Sequence, residues 1–256
     1  MLTAEGLPPL LVLEDVRKSF GSVVVADRIN LRVGHGETIG IVGPNGAGKT
    51  SLLNLCTGNL AADGGRILLA GEDLTRLPAH TRARRGVGRT YQVPRPFAGM
   101  TVFENVLLGA IHGARGGIDP TEVSVAALEA TDLIDRANVL AASLPLLDRK
   151  RLELARALAT RPRLLLLDEI AGGLTEPEVE RLVATIRDLK AGGLTIVWIE
   201  HIVAALMAVV DRMIAMDMGR ILVEGDPAAV IANPAVQAVY LGEEAVEVAH
   251  AAERSN

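Results

Sequence analysis

Cysteine is almost missing from this chain: Cys56 is the only one in 256 residues, which excludes a disulfide framework and a thiolate metal cluster. It follows Leu52, Leu53 and Leu55, so it reads as a buried core thiol. Long apolar runs are missing too. None approaches the roughly 18–20 residues needed to cross a bilayer; the longest, 202–210, is closed by Asp211 and Arg212. The N-terminus carries Glu5 and Pro8-Pro9 instead of a basic and then apolar segment, so no secretory leader is expected. The expectation is a soluble intracellular protein whose membrane role, if any, is peripheral. An excess of positive charge is also lacking. The net charge of −5 argues against a general nucleic-acid binder. One basic stretch, Arg82, Arg84, Arg85, Arg89 and Arg95, reads as a solvated helix face running into a loop.

What is present is apolar and α/β in pattern. Hydrophobic residues make up 49% and the mean hydropathy is +0.31, which suits buried parallel strands. Short strands are predicted at 10–13 and 23–25, and Ile29, Leu31 and Val33 alternate at the strand period. Strand 38–42 is followed by a glycine-rich loop and an apolar helix over 48–56 ending at Gly58. Asp63-Gly64-Gly65 marks a turn before a strand at 67–70. From 92 to 161 the pattern turns helical, with Thr121 as a cap ahead of Val123, Ala127, Ala130, Ile134 and Ala137. A further helix is predicted over 148–160, stopped by Pro162. Strands follow at 164–167, 195–199, 213–216 and 221–223, with a capping-box helix at Thr175, Pro177 and Glu178. The implied architecture is α/β: a parallel-sheet P-loop core with an antiparallel N-terminal β region and a helical insert. One domain is expected over 8–245, its core from 8–91 and 161–245 and its helical subdomain at about 92–160. The acidic, alanine-rich tail 246–256 is expected to be disordered.

Two segments carry chemistry. Gly43-Pro44-Asn45-Gly46-Ala47-Gly48-Lys49-Thr50 fits G-x-x-x-x-G-K-[ST] in full, between strand and helix. Such glycines let the backbone curl so that successive N–H groups face phosphate oxygens. The helix N-terminus adds favourable potential for an anion. Lys49 is placed for the β- and γ-phosphates of ATP, Thr50 for Mg²⁺ and Ser51 for the α-phosphate. Leu164-Leu165-Leu166-Leu167-Asp168-Glu169 supplies a strand-end aspartate to hold Mg²⁺ and a glutamate to orient or deprotonate water. Alone, two acids after a strand read as a turn; beside an intact P-loop, the catalytic reading prevails.

With these pieces on one chain, the sequence resembles the ATP-binding cassette (ABC) transporter ATPases over nearly its whole length. The resemblance implies that Phe20 stacks on adenine and that Gln92, in Arg89-Thr90-Tyr91-Gln92, contacts Mg²⁺ and the membrane subunit. It implies that His201, in Trp198-Ile199-Glu200-His201, senses the γ-phosphate. His35, His80, His112 and His250 match nothing in it. Arg-Thr-Tyr-Gln at 89–92, Met-Thr-Val-Phe-Glu-Asn-Val at 100–106, Arg-Leu-Glu-Leu-Ala-Arg-Ala-Leu-Ala-Thr at 151–160 and Val-Tyr-Leu-Gly-Glu at 239–243 are similar to the branched-chain amino acid importer group.

That group implies an ATPase on the inner face of the cell membrane, energising uptake of branched-chain or other hydrophobic amino acids. Its partners would be permease subunits, a second cassette and, indirectly, a periplasmic or extracellular solute-binding protein; nucleic acid is not among them. The basic stretch from Arg82 to Arg95 would then face membrane subunits or acidic headgroups. Competing readings are a lipopolysaccharide-export-type cassette, a soluble cassette of DNA repair or translation, and a regulatory module that binds ATP without cleaving it. Three departures matter. The family's Leu-Ser-Gly-Gly-Gln signature aligns with Leu144-Pro145-Leu146-Leu147-Asp148, which lacks the serine and both glycines. Ile170 replaces a proline, and Thr175 stands where many relatives have aspartate. Because the family sandwiches ATP between one P-loop and the other subunit's signature, the resemblance implies a heterodimer with a normal signature in the partner. A shifted loop, with Ser143 substituting, is the alternative.

Overall fold

Alternating apolar positions drive the first strands to pair with one face inward. In the computed structural model, which describes residues 7–113 and 117–239, β1 (Leu11–Phe20) and β2 (Val23–Val33) form an antiparallel hairpin. Leu11, Leu13, Val16, Ile29, Leu31 and Val33 are all buried. Both strands run further than the sequence pattern predicts, because register shifts carry the ladder past Asp15 and Arg28, two left-handed residues at φ 50° and 53°. Next come β3 (Thr38–Val42), α1 (Lys49–Thr57), β4 (Gly64–Leu69), β5 (Glu72–Asp73), α2 (Ala79–Arg85) and β6 (Val87–Arg89). The order β2-β1-β4-β5 makes a four-stranded antiparallel sheet.

Three helices follow: α3 (Val102–Gly113), α4 (Pro120–Ala130) and α5 (Leu146–Ala159). They close on a cluster of their own that includes Val102, Val106, Leu128, Leu133 and Leu152. Two helix starts differ from expectation. Asp119, not Thr121, caps α4, its carboxylate accepting from the Thr121 N–H at 2.9 Å. That helix stops at Thr131, whose hydroxyl bonds back to the Ala127 carbonyl, and Asp132 at φ 56° turns the chain. Ile134 and Ala137 therefore fall in and after a 3₁₀ turn, not on the expected stripe. The helix predicted from 148 begins at Leu146, directly after Pro145.

The chain then alternates β7 (Leu164–Asp168), α6 (Glu176–Ala191), β8 (Thr195–Ile199), α7 (Val203–Met207), β9 (Arg212–Asp217), β10 (Arg220–Gly225) and α8 (Pro227–Ile231). The Glu178 carboxylate accepts from the N–H and hydroxyl of Thr175 at 2.9 and 2.8 Å, the expected capping box of α6. The second sheet has the order β10-β9-β3-β8-β7-β6, parallel from β9 to β6, with β10 antiparallel at one edge. Both faces of β7 are covered: Leu164 and Leu166 join the cluster shared with the first sheet, Leu165 and Leu167 the cluster under α6. That is why it reads as an unbroken apolar run. Parallel strands put the ends of β3, β6, β7 and β8 at one edge, where open α/β sheets bind ligands. Residues 240–243 of the importer-like stretch and the expected tail 246–256 lie outside the described residues.

The basic stretch is a solvated face only in part: Arg84, Arg85 and Arg95 are exposed, while Arg82 and Arg89 turn inward. Arg82 is 2% exposed. Its guanidinium donates to the carbonyls of Leu55 (2.6 Å), Cys56 (3.1 Å), Thr75 (2.9 Å) and Leu77 (2.9 Å), closing the C-terminal end of α1. Burial pulls its pKa below the usual arginine value, and burial likewise pushes the Cys56 thiol up to about 12, so that thiol is inert at neutral pH. Arg82→Met is expected to strand those carbonyls and destabilise the fold by about 3 kcal/mol, read from urea denaturation. An unchanged midpoint would mean that α1 does not depend on this cap.

Candidate functional site

The loop 43–48 owes its shape to three glycines. Gly43, Gly46 and Gly48 have φ of 150°, 82° and 98°. A Cβ at Gly43 would sit 2.2 Å from the Met216 carbonyl oxygen, and one at Gly48 2.4 Å from that of Val25. Only glycine lets the loop press this closely on its neighbours. The loop is also tied to the β9–β10 turn by the Gly219 N–H, which donates to the Ala47 carbonyl at 2.9 Å. Lys49, 6% exposed, curls back so that Nζ donates to the carbonyls of Gly43 (2.5 Å) and Pro44 (2.8 Å). Asn45, Gly46 and Thr50 are exposed, Ser51 is half-buried, and Pro44 and Ala47 are buried. Phe20 is 54% exposed at the end of β1, paired with Val23 in the hairpin whose Val25 carbonyl abuts Gly48. Lys18 Nζ lies 5.2 Å from its ring centroid.

Across β8, the end of β7 brings its acids to this loop. Asp168 is 3% exposed; its Oδ1 accepts from Thr50 Oγ1 at 3.4 Å and its Oδ2 from Arg89 Nη2 at 2.7 Å. Arg89 Nη1 donates to Asn54 Oδ1 at 2.6 Å. Glu169 adopts φ 46°, a left-handed conformation that costs a non-glycine residue about 1 kcal/mol and needs local support. Its N–H donates to the Ile199 carbonyl at 2.9 Å. Its two carboxylate oxygens meet different partners: Gln92 Nε2 at 2.5 Å and His201 Nε2 at 2.7 Å. Thr50, Gln92 and Asp168 line one cleft of about 560 Å³, with Asn54, Arg89 and Glu153. Thr50 and Asp168 offer hard oxygen donors that suit Mg²⁺.

The site residues expected from the sequence thus fall into one region, with Phe20 on its hairpin rim. Four more belong to it that sequence reasoning passed over or gave no role: Asn54, Arg89, Lys150 and Glu200. Glu200 is 2% exposed and accepts from the N–H groups of Ala171 (2.6 Å) and His201 (3.1 Å), tying the segment after Glu169 to the one carrying His201. Burial raises its carboxyl above the ordinary value. Its signal was a charge directly following the apolar run 196–199.

The segment 143–148 is shaped differently from a phosphate-cradling loop. The Ser143 hydroxyl donates to the Leu140 carbonyl at 2.8 Å. Leu147 and Asp148 are buried, and Leu146 is 41% exposed at the start of α5. Arg149 folds back, donating to the Leu144 carbonyl at 2.7 Å.

A glycine-rich loop between β3 and α1, with a strand-end acid on β7 across β8, defines a P-loop nucleotide-binding protein. Comparison with known proteins narrows the class. The family described as ABC transporter matches residues 26–172, and that described as branched-chain amino acid ATP-binding cassette transporter matches 220–246. The high-affinity branched-chain amino acid transport ATP-binding protein BraF of Pseudomonas aeruginosa is 36% identical, covering 92% of this chain and 98% of its own. The lipopolysaccharide export system ATP-binding protein LptB of Haemophilus influenzae is 34% identical, with the same coverage. The solved ADP conformation of an ATP-binding cassette from an ABC transporter superposes with a TM-score of 0.83 at 30% identity, covering 91% of this chain and 99% of that one. The chain belongs to the ABC transporter family, as one of its ATP-binding cassettes.

Proposed function

We propose that this chain hydrolyses ATP to energise an importer of branched-chain or other hydrophobic amino acids, bound peripherally to membrane permease subunits on the cytoplasmic face. The proposed domain spans 8–245, with α3–α5 as a helical subdomain. The observation that carries the mechanism is the convergence of Gln92 and His201 on the two oxygens of Glu169, beside Asp168 and Thr50 at the mouth of the P-loop.

In this reading the N–H groups of 43–51 and Lys49 hold the phosphates, Phe20 stacks on adenine, and Thr50, Asp168 and Gln92 would hold Mg²⁺. The ion would neutralise charge on the β- and γ-phosphates. Glu169 accepts the proton of a water whose oxygen attacks the γ-phosphorus; the bond to the β–γ bridging oxygen breaks and ADP departs. His201 orients Glu169 and contacts the γ-phosphate. The rim of exposed Tyr91, Val93 and Phe97 beside Gln92 offers an apolar surface for a permease segment.

Segment 143–148 supports a partner of a different kind. Leu146 and Leu147 stand where glycines would open backbone N–H groups to a phosphate, and the Asp148 carboxylate is buried against Arg136 (3.1 Å) and Arg151 (3.8 Å). We therefore expect the chain purified alone to hydrolyse ATP at least about tenfold more slowly than the complex holding a second, different cassette. Equal turnover by a proven homodimer would contradict this; a loss of the complex's turnover on Ser143→Ala would instead favour the shifted loop.

The proposed cargo is tested by reconstituting the complex with its solute-binding protein and measuring ATP-dependent uptake of leucine, isoleucine and valine. Uptake supports the proposal, and its absence with retained ATP turnover removes it. The similarity to an export cassette favours a second reading, in which the same motor drives a permease that extracts lipopolysaccharide.

A further inference from the structure

We infer that Lys150 is a positioning residue for Glu169 and for the segment that carries Gln92. The inference rests on the reading of Glu169 as the base. Lys150 lies on α5 between Leu147 and Leu154, one turn to either side, and both of those are buried core residues. Helical spacing asks for an apolar side chain at 150. The chain places a lysine there instead, only 4% exposed. A buried ammonium is unfavourable unless its donors are bonded, and burial holds this one below the usual lysine value.

The donors reach two loops. Nζ donates to the Gln92 carbonyl at 2.6 Å and to the Glu169 carbonyl at 3.4 Å. Those carbonyls belong to the two residues whose side chains meet each other at 2.5 Å. Lys150 therefore braces by their backbones the same pair whose side chains meet. The brace matters most at Glu169, whose left-handed backbone aims the carboxylate and whose carbonyl, among the described residues, otherwise meets only the Gly172 N–H, at 3.4 Å. Burial disfavours the charged form of Lys150, and the nearby carboxylates of Glu200 and Glu169 offset part of that. Because Lys150 belongs to α5, a movement of the three-helix cluster relative to the sheet would pull on both loops at once. It touches neither nucleotide loop nor reacting atom, so it acts through Glu169 and Gln92.

The test uses the full chain in its assembled complex. Lys150→Met is expected to lower kcat by roughly tenfold to a hundredfold, the usual result of displacing a reacting group by about 1 Å. The Kd for ATP should stay within about twofold, because the P-loop is untouched. Lys150→Arg should restore most of the rate, since a guanidinium can donate to both carbonyls. In a Glu169→Gln background, Lys150→Met should change the residual rate by less than about twofold, as groups acting as a unit are not additive. If Lys150→Met does not fold, Lys150→Gln, an uncharged side chain one atom shorter than lysine, reads the same kcat-against-Kd split.

An equal drop in both backgrounds, a parallel loss of ATP affinity, or an unchanged kcat would overturn the inference. Near-normal turnover by Glu169→Gln alone would remove the base assignment itself, a separate failure.

Discussion

Glu169→Gln is expected to slow ATP hydrolysis by roughly 10²–10⁴, with ATP still bound. The amide is nearly isosteric, so the left-handed turn at 169 and the contacts to Gln92 and His201 can persist in altered polarity. What it cannot do is accept the proton of an attacking water. Two donors converge on this carboxylate, one on each oxygen, and hold it in one orientation. Orientation of this kind lets a weak base contribute at neutral pH. Phosphate release from the assembled complex, measured alongside nucleotide affinity, checks the result. Turnover within about threefold of wild type would assign the proton transfer elsewhere.

Lys49→Ala should act on binding itself. Charge-assisted hydrogen bonds contribute about 1.5–3 kcal/mol each, so the Kd for ATP should rise by roughly tenfold to a hundredfold. Lys49 also bonds the Gly43 and Pro44 carbonyls, so its loss loosens the loop that presents the backbone N–H groups. Titration calorimetry with ATP reads the change, and AMP serves as a control because it carries no β- or γ-phosphate. A Kd within about twofold of wild type would mean that the lysine does not meet the phosphates.

The parts of the site that rely on local geometry were legible in the sequence. Three glycines and a lysine at fixed spacing specify a loop whatever surrounds it, and the structure shows why glycine is required at 43 and 48. The unbroken apolar run at β7 announced a strand covered on both faces. Where tertiary contacts decide, the sequence was mute. Arg82 and Arg89 read as members of a solvated basic run, yet one closes α1 and the other pairs with Asp168, because β6 and α2 pack against α1. Lys150 and Glu200 gave the opposite kind of signal: Lys150 falls on a helix face between Leu147 and Leu154, Glu200 directly after the apolar run 196–199, and only their partners reveal what they hold. The start of α4 went to Asp119 since its carboxylate, one residue before Pro120, reaches the first free N–H better than Thr121 can. The helix that followed ended early, for no apolar spacing predicts the left-handed Asp132.

The most direct test of the motor reading is a crystal structure of the Glu169→Gln chain grown with ATP and Mg²⁺. The account predicts the triphosphate wrapped by residues 43–51, the ion between Thr50 and Asp168, and the γ-phosphate beside residue 169. Nucleotide seated anywhere else on the chain, or an ion bound away from that threonine and aspartate, would contradict it.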